Sequence, residues 1–397
     1  MGTKEKIAIL SASILTIIAT AGISPALGVI ESHFSGASPL LIKSIVTLPA
    51  LICIPISLLT NFIIRYIKKR NLLIIGVTIY LIGAILSYFS MNLYFLLISR
   101  GVLGIGLGIS GPLSFIVISD AFIGKERAKF MGYSSAVSII GAVVAIPLVG
   151  VISSFGWHNI FLIYIVALIV LLLIIFYLPK ALPYDNSIIP ENHIPENHNE
   201  DKNIKLNKGV FKYFIFLILM LIIYYSIPTN MALLVKYKAL GNTDMAAFLI
   251  AIVTLFSFFS SLFFHRILNA FKEYLILISF IFMAIGFIMI NMANGMLLLG
   301  AGTVVIGLGY GLVVPYCMFY STKCTHKKHT AFALTMVSVS IYVGEALSPV
   351  VLDYMASIFN LNNIIGSFYG AEIISIVGII ISLSLLLKAK LSKKAMA

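Results

Sequence analysis

Twelve stretches of the chain are almost wholly apolar, at about 7–30, 39–61, 72–92, 94–119, 130–153, 159–178, 212–235, 245–264, 273–293, 296–320, 331–355 and 364–387. Each is about 20 residues or longer, and a helix rising 1.5 Å per residue needs about 20 residues to cross roughly 30 Å of hydrocarbon. The runs do not alternate polar and apolar positions as barrel strands do. The stretch Ile160–Leu178, for example, has no charge in it. The pattern predicts an all-α integral membrane protein of twelve transmembrane helices. The first run is too long for a signal peptide and reads as a retained helix. Turns at Asn92-Leu93 and Asn294-Gly295 join the third to the fourth span and the ninth to the tenth. One polar segment, 180–211, separates residues 1–179 from 212–397, six spans on each side, and reads as a cytoplasmic linker.

The two halves repeat. Gly104-Ile105-Gly106-Leu107-Gly108 followed by Pro112 lies in span four, and Gly307-Leu308-Gly309-Tyr310-Gly311 followed by Pro315 lies in span ten, 307 − 104 = 203 residues later. Gly141 and Pro147 of span five parallel Gly344 and Pro349 of span eleven within one residue of that offset. Two six-helix bundles related by a pseudo-two-fold axis are therefore expected, an architecture that binds substrate between halves near the midplane. Gly104, Gly108 and Gly111 share one helix face, as do Gly307 and Gly311, which suits close helix packing in lipid. With no strand before them and no Lys-Ser/Thr after them, they are not a phosphate loop. Pro112, Pro147, Pro228, Pro315 and Pro349 are candidate kinks.

Composition supports this reading. Of the 397 residues, 60% are hydrophobic and 10% charged, with mean hydropathy +1.09, whereas soluble domains carry roughly 25% charged residues. The net charge of +13 does not point to nucleic acid. With the N-terminus inside, nearly all of the 27 Lys and Arg residues fall in cytoplasmic segments. Only Lys236 and Lys238 fall outside, and Lys43 and Arg100 lie within spans. That bias places both termini in the cytoplasm of an inner or plasma membrane, with the lipid bilayer as the partner of the basic residues. Cys53, Cys317 and Cys324 form no disulfide framework. His193 and His198, with Glu191 and Glu196, belong to a low-complexity repeat rather than to a metal site.

Ionisable residues inside spans each need a reason, because a charge at the bilayer centre costs about 2.5–3.5 kcal/mol on insertion scales. Glu345 sits near the middle of span eleven and is the candidate proton-coupling acid, since desolvation favours its neutral form. The alternative is a structural hydrogen bond to a Tyr, Ser or Asn of another helix. Arg100 lies in span four, where a structural ion pair is one explanation. Glu31, Lys43, Asp353 and Glu372 lie toward the outer ends of spans, and Glu31 and Lys43 are expected to pair across the first external turn. Glu31 is the second candidate for the proton site. Tyr224, Tyr225 and Asn230 around Pro228, together with Tyr316 and Lys43, are candidate cavity residues.

Leu97-Ile98-Ser99-Arg100-Gly101-Val102-Leu103-Gly104-Ile105-Gly106 resembles the fourth-helix motif of the major facilitator superfamily, and Arg127, Met131-Gly132 and Gly156-Trp157-His158-Asn159-Ile160-Phe161 resemble its flanking segments. The resemblance covers essentially the whole chain and is nearest the twelve-helix drug/proton antiporters, whose fifth-helix motif is matched by Gly141, Pro147 and Gly150. It departs at Ile146 and Val151, where that motif has glycines. In the loop between helices two and three, Asn61 replaces a glycine and Arg65 an acid, while the basic end, Lys69 and Arg70, is kept. That acid normally helps lock the cytoplasmic gate, so Asp120 is expected to pair with Arg65 with the signs reversed. The resemblance implies a role for Arg100 in proton transfer or coupling. Span one lacks the central acid that many proton-coupled drug exporters carry.

Taken together, these features predict a monomeric, proton-coupled secondary transporter that exports small amphipathic molecules by alternating access. It would be driven by the proton gradient, without a cofactor, catalytic residues or nucleotide-binding motif. An importer or uniporter of a sugar or organic acid is the first alternative. A membrane-embedded enzyme acting on lipids would need clustered Asp or His at the membrane face, which the sequence does not show.

Overall fold

The computed structural model describes residues 2–20, 30, 33–34, 36–37, 39–153, 155–180, 210–241, 243–325 and 329–395. These form helices α1 (Thr3–Ser11), α2 (Ile14–Thr20), α3 (Pro39–Ile63), α4 (Lys69–Tyr88), α5 (Leu93–Ala121), α6 (Gly124–Ser153), α7 (Val166–Tyr177), α8 (Phe211–Tyr237), α9 (Thr243–Leu262), α10 (Phe264–Phe271), α11 (Leu275–Met292), α12 (Met296–Lys323), α13 (Thr330–Ile358) and α14 (Asn363–Ala395). A 3₁₀ stretch, Trp157–Ile165, leads into α7, and another, Lys272–Tyr274, joins α10 to α11. The described residues contain no strand, because in lipid each backbone group must be paired within its own helix. Ten helical segments among them are long and apolar enough to cross a membrane, and Phe248–Leu262 is a shorter apolar helix at the eighth expected span. The first expected span corresponds to α1 and α2, and its later part lies outside the described residues, as do the linker histidines and Glu31.

Helix boundaries follow local chemistry. Asn92 caps α5, its side-chain oxygen accepting from the Phe95 amide at 2.8 Å, so a two-residue turn suffices to reverse the chain. Gly156 adopts φ +121°, a conformation that only glycine takes easily, where α6 gives way to the 3₁₀ stretch. All five candidate kink prolines lie inside continuous helices. The expected basic loop after span eight contains α10, whose Phe264 and Leu268 are buried while Arg266 is exposed.

The chain divides into two compact units. One comprises Met1–Ser134, Val144–Phe214 and Cys317–Val339. The other comprises Ser135–Val143, Ile215–Tyr316 and Ser340–Ala397. Within the first, α5 packs between α3 and α4. A Cβ on Gly104 would meet Pro49 Cα at 2.9 Å, one on Gly108 would meet Ile56 Cβ at 2.7 Å, and one on Gly106 would strike the Tyr80 backbone nitrogen. Glycines two apart thus open opposite sides of one helix to two neighbours. The second unit repeats the device: Gly307 and Gly311 sit against Val253 and Ser257 of α9, and a Cβ on Gly309 would lie 2.9 Å from the Ser279 carbonyl of α11.

The prolines complete the repeat. Pro112 has no N–H for the carbonyl four residues before it, so the Gly108 carbonyl loses its helical donor. The Ser57 and Thr60 hydroxyls of α3 donate to it instead, at 3.1 and 3.3 Å. Pro315 frees the Gly311 carbonyl in the same way, and the Ser261 hydroxyl of α9 takes it. Each unit therefore ties its glycine-rich helix to its neighbour with a hydroxyl where proline has broken the ladder.

Candidate functional site

In the first unit Arg100 is completely buried. Its Nε donates to the Ile45 carbonyl at 2.9 Å, Nη1 to the Tyr164 hydroxyl at 2.6 Å and Nη2 to the Ala19 carbonyl at 2.6 Å. The Ile45 carbonyl is available because Pro49, four residues on, has no N–H to offer it. The guanidinium fork thus joins α2, α3, α5 and the 3₁₀ stretch before α7. The Tyr80 ring stands edge-on to Tyr164 at 5.8 Å. In place of the expected ion pair, Arg100 meets two carbonyls and a phenol among the described residues. The Lys43 side chain lies outside them, so the expected Glu31–Lys43 pair does too.

The gating residues need one correction. Asp120 pairs with Lys69 at 2.7 Å, not with Arg65, and both partners are nearly buried. The physical reason is position. Lys69 is the first residue of α4 and abuts the last turn of α5, whereas Arg65 lies in the turn before α4, exposed, its guanidinium 5.9 Å over the Phe62 ring. Arg127 caps the end of α5, donating to the carbonyls of Phe122 and Ser119 at 2.9 Å each, and lies in electrostatic reach of Asp120.

In the second unit, two tyrosines lie in reach of Glu345 on α13, and a third stacks behind one of them. Tyr225 of α8 and Tyr310 of α12 both lie in electrostatic reach of the Glu345 carboxyl. Tyr310 stacks flat on Tyr224, with centroids 3.6 Å apart and an 8° interplanar angle, and Thr254 of α9 lies within reach of the Tyr224 hydroxyl. Helices α13 and α8 approach closely because Gly344 leaves room for Leu221, and the Ser348 hydroxyl donates to the Ile222 carbonyl at 2.7 Å. The arrangement is a carboxyl group with two phenols in reach, each of which can donate and accept a hydrogen bond, and a third phenol stacked behind them.

Of the expected cavity residues, Tyr224 and Tyr225 belong to this cluster. Asn230 contacts Thr229 at 3.1 Å, and the Tyr316 hydroxyl faces the Glu273 carbonyl at 3.5 Å. Gly141 is buried in α6, with Pro147 and Gly150 further along that helix. Sequence reasoning missed Tyr310 and Thr254. The available signal was that Tyr310 interrupts a glycine run whose counterpart has Leu107 at the equivalent position. Glu372, expected at an outer helix end, accepts from the Asn291 amide at 2.6 Å.

A model of the Major Facilitator Superfamily matches residues 9–315 and 238–395. Multidrug transporter protein MdtP of Bacillus subtilis is 36% identical over 95 residues, which is 23% of this chain and 17% of that protein. Niacin transporter NiaP of Acinetobacter baylyi is 32% identical over 134 residues, 33% of this chain and 30% of that protein. The matched stretches thus span well under two thirds of these relatives. The solved structure of the human organic anion transporter MFSD10 (TETRAN) superposes with TM-score 0.77 at 13% identity, covering 96% of this chain and 100% of that one.

Proposed function

The chain belongs to the Major Facilitator Superfamily, and from that premise we propose that it is a proton-coupled secondary transporter exporting small amphipathic molecules by alternating access. Family membership makes it a multi-pass membrane protein and a transporter rather than an enzyme. The observation that carries the coupling reading is Glu345, a carboxyl placed within span eleven with the phenols of Tyr225 and Tyr310 in electrostatic reach. An acid so placed can take up a proton on one side and release it on the other as the halves rock. Arg100, engaged with neutral acceptors in its own unit, serves in this reading as a clasp that holds four helical segments in one conformation. The similarity to MdtP supports export. The clustering of Lys and Arg in alternate loops supports a cell membrane location with both termini cytoplasmic.

Inverted membrane vesicles energised to an acid interior, with a pH-sensitive dye inside and ethidium as probe, test this reading. Ethidium-induced proton release that Glu345→Gln abolishes is the expected result. Release unaffected by Glu345→Gln moves the proton site elsewhere, with Glu31 next. A second reading, import of a small metabolite, draws on the similarity to NiaP. Proton-linked accumulation of nicotinate by intact cells, without ethidium export, would select it.

A further inference from the structure

We propose that two phenylalanine–arginine pairs, Phe62–Arg65 in the first half and Phe263–Arg266 in the second, are docking points for the phosphates of anionic phospholipids in the cytoplasmic leaflet. The inference needs only that the chain crosses the membrane, and it stands apart from the reading of Glu345.

The chain uses arginine sparingly. Of its 27 basic residues five are arginine, at 65, 70, 100, 127 and 266, and the others are lysine. Lysine serves where charge alone is wanted, whereas the planar guanidinium fork suits a defined acceptor. Three of the five have one. Arg100 donates to two carbonyls and a phenol, Arg127 to the carbonyls of Phe122 and Ser119, and Arg70 to those of Leu178 and Ile175 at 2.9 and 2.6 Å. Arg65 and Arg266 differ. Both are exposed, and among the described residues neither makes a hydrogen bond or ion pair.

What these two share is a ring. The Arg65 guanidinium lies 5.9 Å over the Phe62 ring and that of Arg266 lies 5.6 Å over Phe263, three residues earlier in each case. The pairs recur at an offset of 266 − 65 = 201 residues, within two of the internal repeat. Each falls between the second and third spans of its half, on the side that the loop charges assign to the cytoplasm. The backbones differ, since Arg65 stands in the turn before α4 and Arg266 within α10, so the pairing is not the by-product of one shared turn. Both rings stay open, Phe62 being 56% and Phe263 45% exposed. An exposed lysine follows each pair, Lys68 in one half and Lys272 in the other.

These features fit a lipid headgroup. An exposed ring can rest at the acyl boundary while the guanidinium on its face keeps its donors free in the plane. The two unesterified oxygens of a phosphodiester match that fork. An anionic lipid fits better than a zwitterionic one, whose ammonium would need a carboxylate. No acid lies between Glu31 and Asp120 in the sequence, and Asp120 is engaged by Lys69. Glu273, exposed just after α10, makes the second pair the less selective of the two.

Native mass spectrometry of the purified full chain, titrated with dioleoyl phosphatidylglycerol or dioleoyl phosphatidylcholine, counts the lipids bound. Phosphatidylglycerol should bind the more tightly. Arg65→Gln should weaken one phosphatidylglycerol site about tenfold, as the loss of a charged hydrogen-bonding partner does, and Arg65→Gln with Arg266→Gln should weaken two. Arg65→Lys and Phe62→Leu should each weaken the first site as well, while Lys68→Gln, which removes a charge from the same loop without removing a fork, should cost less. Equal binding of the two lipids overturns the proposal, as does an equal loss in Arg65→Gln and Lys68→Gln or full binding by Arg65→Lys. Displacement of the bound lipid by millimolar inorganic phosphate would make this a site for free anions and overturn the lipid assignment. A thermal melt lowered in Arg65→Gln with an unchanged lipid count would make the pair structural and overturn it too.

Discussion

The Lys69–Asp120 pair offers the sharpest energetic test, because each charge sits at the unfavourable end of its own helix. Lys69 opens α4, where the helix dipole is positive, and Asp120 lies in the last turn of α5, where it is negative. Each misplacement costs about 0.3–1 kcal/mol, and the pair offsets both. Asp120→Leu removes the acid from a nearly buried ammonium at the positive pole of α4. Breaking a buried pair in this way costs about 3–5 kcal/mol. Lys69→Met leaves Asp120 within reach of Arg127, so its cost should be lower, about 2 kcal/mol. The double variant removes both charges and should lie near wild type, since apolar replacement of a buried pair is often neutral or stabilising. The double-mutant cycle should therefore give a coupling close to the sum of the two single losses, about 5–7 kcal/mol. Unfolding in detergent can be followed with a thiol-reactive fluorophore, because Cys53 and Cys317 are fully buried until the chain opens. Two single variants within about 0.5 kcal/mol of wild type, or a double variant as unstable as the sum of the singles, would refute the reasoning.

Four further outcomes are expected. Gly106→Ala should cost about 1–3 kcal/mol or prevent folding, because its Cβ strikes the Tyr80 backbone, and the fluorophore melt reads the loss. Arg100→Lys should not restore the stability lost in Arg100→Ala, since one ammonium cannot replace three donors directed at Ile45, Tyr164 and Ala19. Ser261→Ala should destabilise by about 1–3 kcal/mol by leaving the Gly311 carbonyl without its hydroxyl donor, and restoring the helical donor with Pro315→Ala should recover part of that loss. Lys238, whose ammonium meets the carbonyls of Ile290, Asn291 and Ala293, is held by burial below the ordinary lysine pKa. The cost of charging it is full below the folded pKa and vanishes as pH rises toward the unfolded value, so melting temperature should climb as pH approaches the ordinary lysine range of about 10.4, and Lys238→Met should flatten the climb.

Much of the fold was legible because lipid leaves few choices: long apolar runs must be helices, and basic clusters mark the loops. The glycine repeat told which helices pack closely, and the structure shows that in both copies a hydroxyl of the neighbouring helix takes the carbonyl freed by the proline. Partners were less legible. Nothing in the spacing of Arg65, Lys69 and Asp120 says which cation meets the acid. That depended on α4 starting at Lys69, and helix starts are the least certain feature of a sequence. Arg100 was read through its charge, yet its setting depends on Pro49, a residue in another helix that withholds an N–H. Tyr310 went unnoticed because it sat inside a packing motif.

The duplication itself marks where to look for function. Positions that only hold helices together stay equivalent at the 203-residue offset: Gly104 and Gly307, Gly106 and Gly309, Gly108 and Gly311, Pro112 and Pro315. Charged positions do not. Arg100 corresponds to Thr303, Glu345 to Ala142, and Asp120 to Lys323, although Lys69 retains its counterpart in Lys272. Packing constrains both copies alike, since each must bring the same helices into contact in the same solvent. A buried charge costs stability wherever it is placed and is kept in one copy only where that copy gains something from it. The first half thus carries a cation clasped by carbonyls and a buried ion pair, and the second carries an acid among phenols. The proton coupling proposed for Glu345 would use this asymmetry, because it gives the acid to one half alone.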